Sequence, residues 1–246
     1  MARIARQISQ SGLYHIVFRG VNRQHIFEEE ADYIKLKEIL MNLKMDMGFE
    51  IYVYCFMTNH AHILLKERET GDISQIMKRL LTKYARWYNI KYKRSGALIA
   101  NRYKSQPVEV DEYFLSVVRY IHQNPLKARM IKELNEYEWS SYNEYAYSEN
   151  GLADKEFILE MINGTKGFEE YHEIMENNIF IVDDKVKITD DGIRRNIIKK
   201  YGIEPNLIGG MDKQKRNEIL CELKESYSIR QLERVTGVSR GVIQKC

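Results

Sequence analysis

Phe56-Met57-Thr58-Asn59-His60-Ala61-His62-Ile63-Leu64-Leu65 is the stretch whose reading decides the fold. Two histidines stand two residues apart at the entry to an aliphatic run. Side chains alternate faces along a strand, so a strand over His60 to Glu67 puts His60 and His62 on one side and Ala61 on the other. Two imidazoles on one face of a rigid strand are half of a metal site. The same pair is also compatible with plain core or surface packing, and the stretch alone leaves both readings open.

Working outward, Phe49 to Met57 predicts a strand that is apolar on both faces, joined to the histidine strand by the tight Thr58-Asn59 turn. Being apolar throughout, it is expected in the centre of the sheet. Tyr14 to Arg19 predicts an earlier strand, running into the turn-like Gly20-Val21-Asn22-Arg23-Gln24. Between them, Glu28 to Met47 predicts a helix: Tyr33, Ile34, Leu36, Leu40, Leu43 and Met47 recur at roughly helical spacing. Acidic residues sit at its positive end, and Gly48 stops it. Downstream, Asp72 to Tyr92 predicts a long helix with Asp72 as N-cap. Its Lys78, Arg79, Lys83 and Arg86 alternate with Tyr84, Trp87 and Tyr88, a pattern that fits either a nucleic-acid groove or a packed core. After Ser95-Gly96, the stretch Arg102-Tyr103-Lys104-Ser105 leads into a strand over Gln106 to Val110. A helix follows over Asp111 to Gln123, ended by Asn124-Pro125. The order β-α-β-β-α-β with an appended helix predicts an α+β, ferredoxin-like split βαβ unit, an antiparallel sheet with helices on one face.

Composition sets the outer limits. The chain has 246 residues, 44% hydrophobic and 30% charged, which suits one substantial core and a smaller second unit. No apolar run approaches the ~20 residues that span a bilayer, and no signal-peptide segment opens the chain. Cys55, Cys221 and Cys246 are scattered and odd in number, so neither a disulfide framework nor a cysteine zinc cluster is expected. These features predict a cytoplasmic protein without a membrane partner. The net charge of +3 hides an asymmetry: residues 1–130 carry 21 Lys/Arg against 13 Asp/Glu, residues 131–190 carry 5 against 15, and residues 191–246 carry 12 against 7. Two basic units around an acidic middle fit two polyanion-binding modules joined by a non-binding segment; solvated faces alone would give the same counts.

A partner for the histidines lies in Val118-Arg119-Tyr120-Ile121-His122-Gln123-Asn124-Pro125. Tyr120 and Asn124 are four apart and share a helix face. A tyrosine hydroxyl can serve as nucleophile, and an asparagine oxygen can complete a mixed N/O site for Mg²⁺ or Mn²⁺. With seventeen tyrosines in the chain, packing is the competing role for any one of them.

Taken together, Asn59-His60-Ala61-His62-Ile63-Leu64 resembles the histidine–hydrophobic–histidine signature of the HUH endonucleases. Tyr120-Ile121-His122-Gln123-Asn124-Pro125 resembles the tyrosine helix of their one-tyrosine transposases, including the REP-associated tyrosine transposases. Arg19-Gly20-Val21-Asn22-Arg23 and Arg102-Tyr103-Lys104-Ser105 resemble stretches of the same group, in the same order, and the likeness spans about residues 10–145. It implies a divalent metal, Mg²⁺ or Mn²⁺, on His60, His62 and Asn124, and a Tyr120 nucleophile. The implied chemistry is cleavage and rejoining of single-stranded DNA through a 5′-phosphotyrosine. Arg19, Asn22, Arg23, Lys83, Arg102 and Lys104 are the implied contacts to phosphates or to a DNA hairpin. Relatives carry an aromatic and a glutamine where this chain reads Leu98-Ile99-Ala100-Asn101, a departure that touches DNA contacts and spares the chemistry. His122 is expected at the surface or on DNA, and His15, His25 and His172 receive no role. The family uses the tyrosine helix within one chain or across a homodimer, and the sequence leaves that choice open.

Trp139-Ser140-Ser141-Tyr142 resembles the end of the family's catalytic domain, which sets the first domain at 1–148. Residues 149–190 predict an acidic helical connector, and 191–246 a second DNA-binding domain. There, Ser228 and Ser239 cap two helices around a Gly237 turn, with Leu232, Val235, Val238, Val242 and Ile243 between them. This resembles a helix-turn-helix for duplex DNA, with Ser239, Arg240 and Gln244 as groove contacts; a plain helical hairpin has the same pattern. Two further functional readings stand beside the transposase: a non-catalytic DNA-binding regulator on the same scaffold, and a rolling-circle type nickase. Nickases often pair tyrosines on one helix face, whereas Tyr113 and Tyr120 here are a heptad apart.

Overall fold

The structure, a computed structural model, describes residues 7–100, 102–109, 112–147, 150–176, 190–227 and 229–245. The chain divides into two compact units, 1–182 and 183–246. In the first, the order is β1 (Leu13–Arg19), α1 (Glu30–Met47), β2 (Glu50–Met57), β3 (His60–Lys66), α2 (Asp72–Lys91), β4 (Lys104–Pro107) and α3 (Glu112–Lys127). Three short helices follow, α4 (Tyr142–Ala146), α5 (Glu156–Met161) and α6 (Gly164–Glu173). The four strands form one antiparallel sheet in the order β2-β3-β1-β4, the ferredoxin-like arrangement.

Strand periodicity sorts the two faces. Ile16, Phe18, Ile51, Tyr54, Phe56, Ala61, Ile63 and Leu65 form one core with Leu36, Leu40 and Leu43 of α1 and Ile76, Met77, Leu80 and Tyr84 of α2. On the opposite face, Val53, Cys55, Met57 and Leu64 meet Phe114, Val117, Val118, Tyr120 and Ile121 of α3. Thus α1 and α2 share one face, as expected, and the appended helix covers the other.

Three expectations are corrected. First, β2 is an edge strand, and β3 and β1 are central. Its apolar sequence is explained by what caps its outer edge: Phe56 donates to the Trp139 carbonyl (2.8 Å), Ser141 to that of Tyr54 (3.0 Å) and Asp154 to that of Ile51 (2.7 Å). An edge covered in this way needs no charges to keep other strands off. Second, Asp72 is the first helical residue of α2, not its cap. Gly71 takes the N-cap at φ 99°, and the Asp72 carboxylate accepts from the Glu69 amide (3.1 Å). Third, α3 runs through Pro125 to Lys127. Proline cannot donate to the Ile121 carbonyl, and the Asn124 side-chain nitrogen lies 3.4 Å from that oxygen, in place of the missing donor. The expected helix start at Asp111 lies outside the described residues. Gly48 does end α1, in the left-handed region at φ 68°.

The expected connector also divides differently. Residues up to 182 fall in the first unit, and Ile158, Ile162 and Phe168 belong to its second core with Tyr137 and Tyr145. His122 and His172, expected at the surface and without a partner, are buried against each other at 2.9 Å (Nδ1 to Nε2). Hydrophobic residues spaced along 157–168 explain why the segment docks despite its acidity.

The second unit contains α7 (Asp190–Tyr201), α8 (Lys213–Ser226), α9 (Ile229–Thr236) and α10 (Arg240–Lys245). Ile193, Ile197, Ile208, Leu220, Leu223, Leu232, Val235, Val238 and Ile243 make its core. Gly237, at φ 72°, turns the chain between α9 and α10. The Ser228 cap lies outside the described residues.

Burial holds His172 at a pKa of about 4, against about 6.5 for an exposed imidazole. Below pH 6.5 the unfolded chain takes up a proton that the folded one refuses. The stabilisation is therefore whole above pH 6.5 and is lost as the pH falls towards 4, by about 1.4 kcal/mol per unit at most. Urea unfolding of His172→Gln between pH 7 and 4.5 should accordingly show a shallower loss of midpoint than the native chain.

Candidate active site

Strand register builds this site. One rung runs Cys55, His62, Val17, Lys104 across β2, β3, β1 and β4, and the next runs Met57, His60, Arg19. Paired residues in a ladder point to the same face, so both histidines, Arg19 and Lys104 lie on the face covered by α3. The imidazoles of His60 and His62 stand 5.0 Å apart between ring centres, and the Tyr120 ring lies 5.8 Å from that of His62. His62 is wholly buried and Tyr120 is 2% exposed, while the Lys127 ammonium sits 4.6 Å above the centre of the Tyr120 ring.

Hydrogen bonds orient both rings. His60 Nδ1 lies 2.6 Å from Asn59 Oδ1, and His62 Nδ1 lies 3.2 Å from Nε2 of His15. With Nδ1 of His62 engaged, its Nε2 is the nitrogen left to act as ligand. His62 Nε2 is buried and has no hydrogen-bond partner among the described residues. An orphaned buried nitrogen of this kind is costly unless something fills its lone-pair direction, and a divalent cation fits. Burial, then the neighbouring His60, His15 and Arg19, hold the His62 pKa well below the usual imidazole value; burial takes His15 down to about 3. Both rings are therefore neutral at physiological pH, as metal ligation and its support require.

Asn124 lies one turn beyond Tyr120 and donates to its carbonyl at 2.8 Å. That bond fixes the amide nitrogen on the helix and leaves the oxygen for another partner. Among the described residues no three His, Cys, Asp or Glu side chains form a metal cluster, so a two-histidine site here needs a ligand of another type.

The remaining sequence-predicted residues separate into groups. Arg19 ends β1 opposite His60, and Asn22 and Arg23 are exposed in the following turn, at φ 52° and 62°. That turn is fixed by the Gly20 amide on the Asn59 carbonyl (2.9 Å) and by the Asn59 side chain on the Arg23 carbonyl (3.3 Å). It therefore adjoins the histidine strand. Arg102 and Lys104 are exposed at the start of β4. Lys83 is exposed on α2, which packs on the opposite face of the sheet from the histidines. Ser239, Arg240 and Gln244 are exposed in the second unit, where Arg240 Nε bonds Glu233 at 2.5 Å. His15 was missed. Its signal was available, because His15-Val17-Arg19 alternates in step with His60-Ala61-His62, but only the pairing of β1 with β3 brings the two patterns together.

Residues 9–124 match the family described as Transposase IS200 like. Over those residues the chain resembles this family. Among solved structures, the chain resembles a REP-associated tyrosine transposase bound to a REP hairpin. The TM-score is 0.51 and the identity 16%, with 63% of this chain and 96% of that one covered. A putative transposase from Deinococcus radiodurans R1 is similar at a TM-score of 0.35 and 18% identity, over 55% of this chain and 95% of that one. No curated protein matches the chain. The fold of the REP-associated tyrosine transposase thus agrees with the α+β architecture. No helix among the described residues is long and apolar enough to cross a membrane.

Because His62 is held neutral by burial, its ring should show no protonation step near pH 6.5, where an exposed imidazole titrates. Nitrogen-15 spectra of the imidazoles across pH 5.5–8 check this; a His62 step at 6–7 would contradict the burial described.

Proposed function

We propose that this protein cuts and rejoins single-stranded DNA through a covalent bond to Tyr120. The observation that carries the reading is the Tyr120 ring packed against His62 on the face where both Nδ1 atoms are already engaged. The match of residues 9–124 to the IS200-like transposase family supports it.

His60, His62 and Asn124 are the residues that would hold one Mg²⁺ or Mn²⁺. When bound, that ion supplies Lewis-acid polarisation of the scissile phosphate. The Tyr120 oxygen attacks phosphorus and gives up its proton. The bond from phosphorus to the 3′ oxygen breaks, and that oxygen leaves as a hydroxyl after taking a proton from solvent. The product is a 5′-phosphotyrosine, which conserves the bond energy, so a later 3′ hydroxyl can attack it and restore the tyrosine. Arg19 and Lys104 share the histidine face, Asn22, Arg23 and Arg102 border the same end of the sheet, and all five would hold backbone phosphates; such contacts give affinity and register rather than sequence reading. Lys83, on the other face, takes no part in this path. The structural relative is bound to a REP hairpin, and we extend that substrate class, hairpin-containing single strands, to this chain.

For the second unit we propose duplex DNA binding by α9 and α10 as a helix-turn-helix. Support comes from the Gly237 turn, the shared apolar core and the exposed Ser239 and Gln244. Arg240 would have to exchange Glu233 for phosphate. Replacing Ser239 and Gln244 together by alanine should weaken duplex binding about tenfold or more in a fluorescence-anisotropy titration, with single-strand cleavage unaffected; unchanged duplex affinity would remove this assignment.

Incubation of the full chain with a hairpin-bearing single-stranded oligonucleotide and Mn²⁺ should yield a denaturation-resistant protein–DNA adduct. Tyr120→Phe should abolish it while oligonucleotide binding stays within about twofold, and His62→Ala should cut its rate by about a hundredfold or more. An adduct formed by Tyr120→Phe at the native rate would overturn the proposal. Binding without any adduct from the native chain would favour the non-catalytic regulator.

A further inference from the structure

The helix that carries Tyr120 is gripped on a second side by a segment that the family match does not include. Arg119, His122 and Gln123 occupy a sector of α3 centred about 130° away from Tyr120 and Asn124. All three bond the stretch Tyr171 to Glu176, beyond the matched residues 9–124. Gln123 uses its whole amide: its nitrogen donates to the carbonyls of His172 (3.1 Å) and Ile174 (2.9 Å), and its oxygen accepts from the Glu176 amide (2.7 Å). Arg119 pairs with Glu176 at 2.8 Å, donates to the Tyr171 carbonyl at 3.2 Å and lies 4.3 Å over the Tyr171 ring. His122 meets His172 on one side and Ser141 on the other, at 2.9 and 2.8 Å. Gln123, His122 and Glu176 are each at most 3% exposed.

We propose that Tyr171–Glu176 is a clamp that fixes the rotation of α3, with Gln123 and Arg119 as positioning residues, so that Tyr120 serves the histidine pair of its own chain. This rests on the function proposed above. A tyrosine oxygen lies roughly 9 Å from its helix axis, so each 10° of helix rotation moves it about 1.5 Å, enough to spoil an in-line attack. The apolar face of α3 resists sliding poorly, because Phe114, Val117, Val118 and Ile121 offer only non-directional contacts. Directional bonds do better. Gln123 reads three backbone groups of the clamp at once, which locks the helix in register as well as in angle, and the buried Arg119–Glu176 pair penalises any rotation that would strand either charge. The clamp's bonds are to Arg119, His122 and Gln123, so its action on Tyr120 runs through the helix.

The test uses the full-length chain and two readouts. In Gln123→Met and Glu176→Gln, hydrogen exchange at α3 amides should rise about tenfold while β1 and β3 keep their protection. With a hairpin-bearing single-stranded oligonucleotide and Mn²⁺, adduct formation at saturation should slow about tenfold at unchanged oligonucleotide affinity. Glu176→Asp, which keeps the charge, should recover part of the rate and also serves if the stronger variants fail to fold. A mixture of Tyr120→Phe and His62→Ala chains should form adduct no faster than His62→Ala alone. Exchange that is unchanged, or that rises equally throughout the unit, overturns the clamp, and adduct from the mixture well above the His62→Ala rate overturns its own-chain consequence. A native chain that forms no adduct sinks the proposed function instead, and the exchange readout then still decides whether the clamp holds the helix.

Discussion

The antiparallel register between β3 and β1 is the constraint on which the rest of the first unit depends. It sets His62 opposite Val17 and His60 opposite Arg19, and it brings His15 one rung away, close enough to bond His62. A slip of one residue would turn both histidines into the apolar core with Phe18, Ile63 and Leu65. The apolar residues that alternate with the histidines make such a slip costly. Ala61, Ile63 and Leu65 are all fully buried under α1 and α2, and Ile63 and Leu65 contribute about 1.5–3 kcal/mol each. Packing on one face therefore holds the chemistry on the other.

Covering that second face with α3 creates its own demands. Polar groups that come to lie beneath a helix must find partners or remain neutral. His15 and His62 satisfy one another, His122 is held between His172 and Ser141, and burial suppresses the charge of each. His62 Nε2 finds no hydrogen-bond partner among the described residues. A buried imidazole nitrogen left so beside a tyrosine is the arrangement expected of a ligand site, and it gives the histidine motif a physical meaning independent of the resemblance.

The alternation of His60 and His62, the helical spacing of α1 and α2 and the stop at Gly48 could all be read from local pattern, because each depends on neighbours close in sequence. The failures share a cause. Placing β2 at the centre followed from its apolar composition, but composition does not say whether a strand is covered by another strand or by the loop Trp139–Ser141. Ending α3 at Pro125 ignored the Asn124 side chain, which lies beside the abandoned carbonyl. His15, His122 and His172 looked idle because their partners lie 47, 19 and 50 residues away. Acidic residues between 150 and 176 suggested a free connector, yet Ile158, Ile162 and Phe168 were enough to dock it. Of the site itself, the two histidines and Tyr120 were legible and are brought together; their support was not.

The central claim is that one tyrosine among seventeen, held beside the histidine pair, does the chemistry. Its most direct test is to trap the native protein on a single-stranded hairpin oligonucleotide, digest both components and locate the nucleotide-bearing residue by tandem mass spectrometry. The account predicts a 5′-phosphodiester on Tyr120 alone; the modification on any other tyrosine, such as Tyr113 on the same helix, would contradict it.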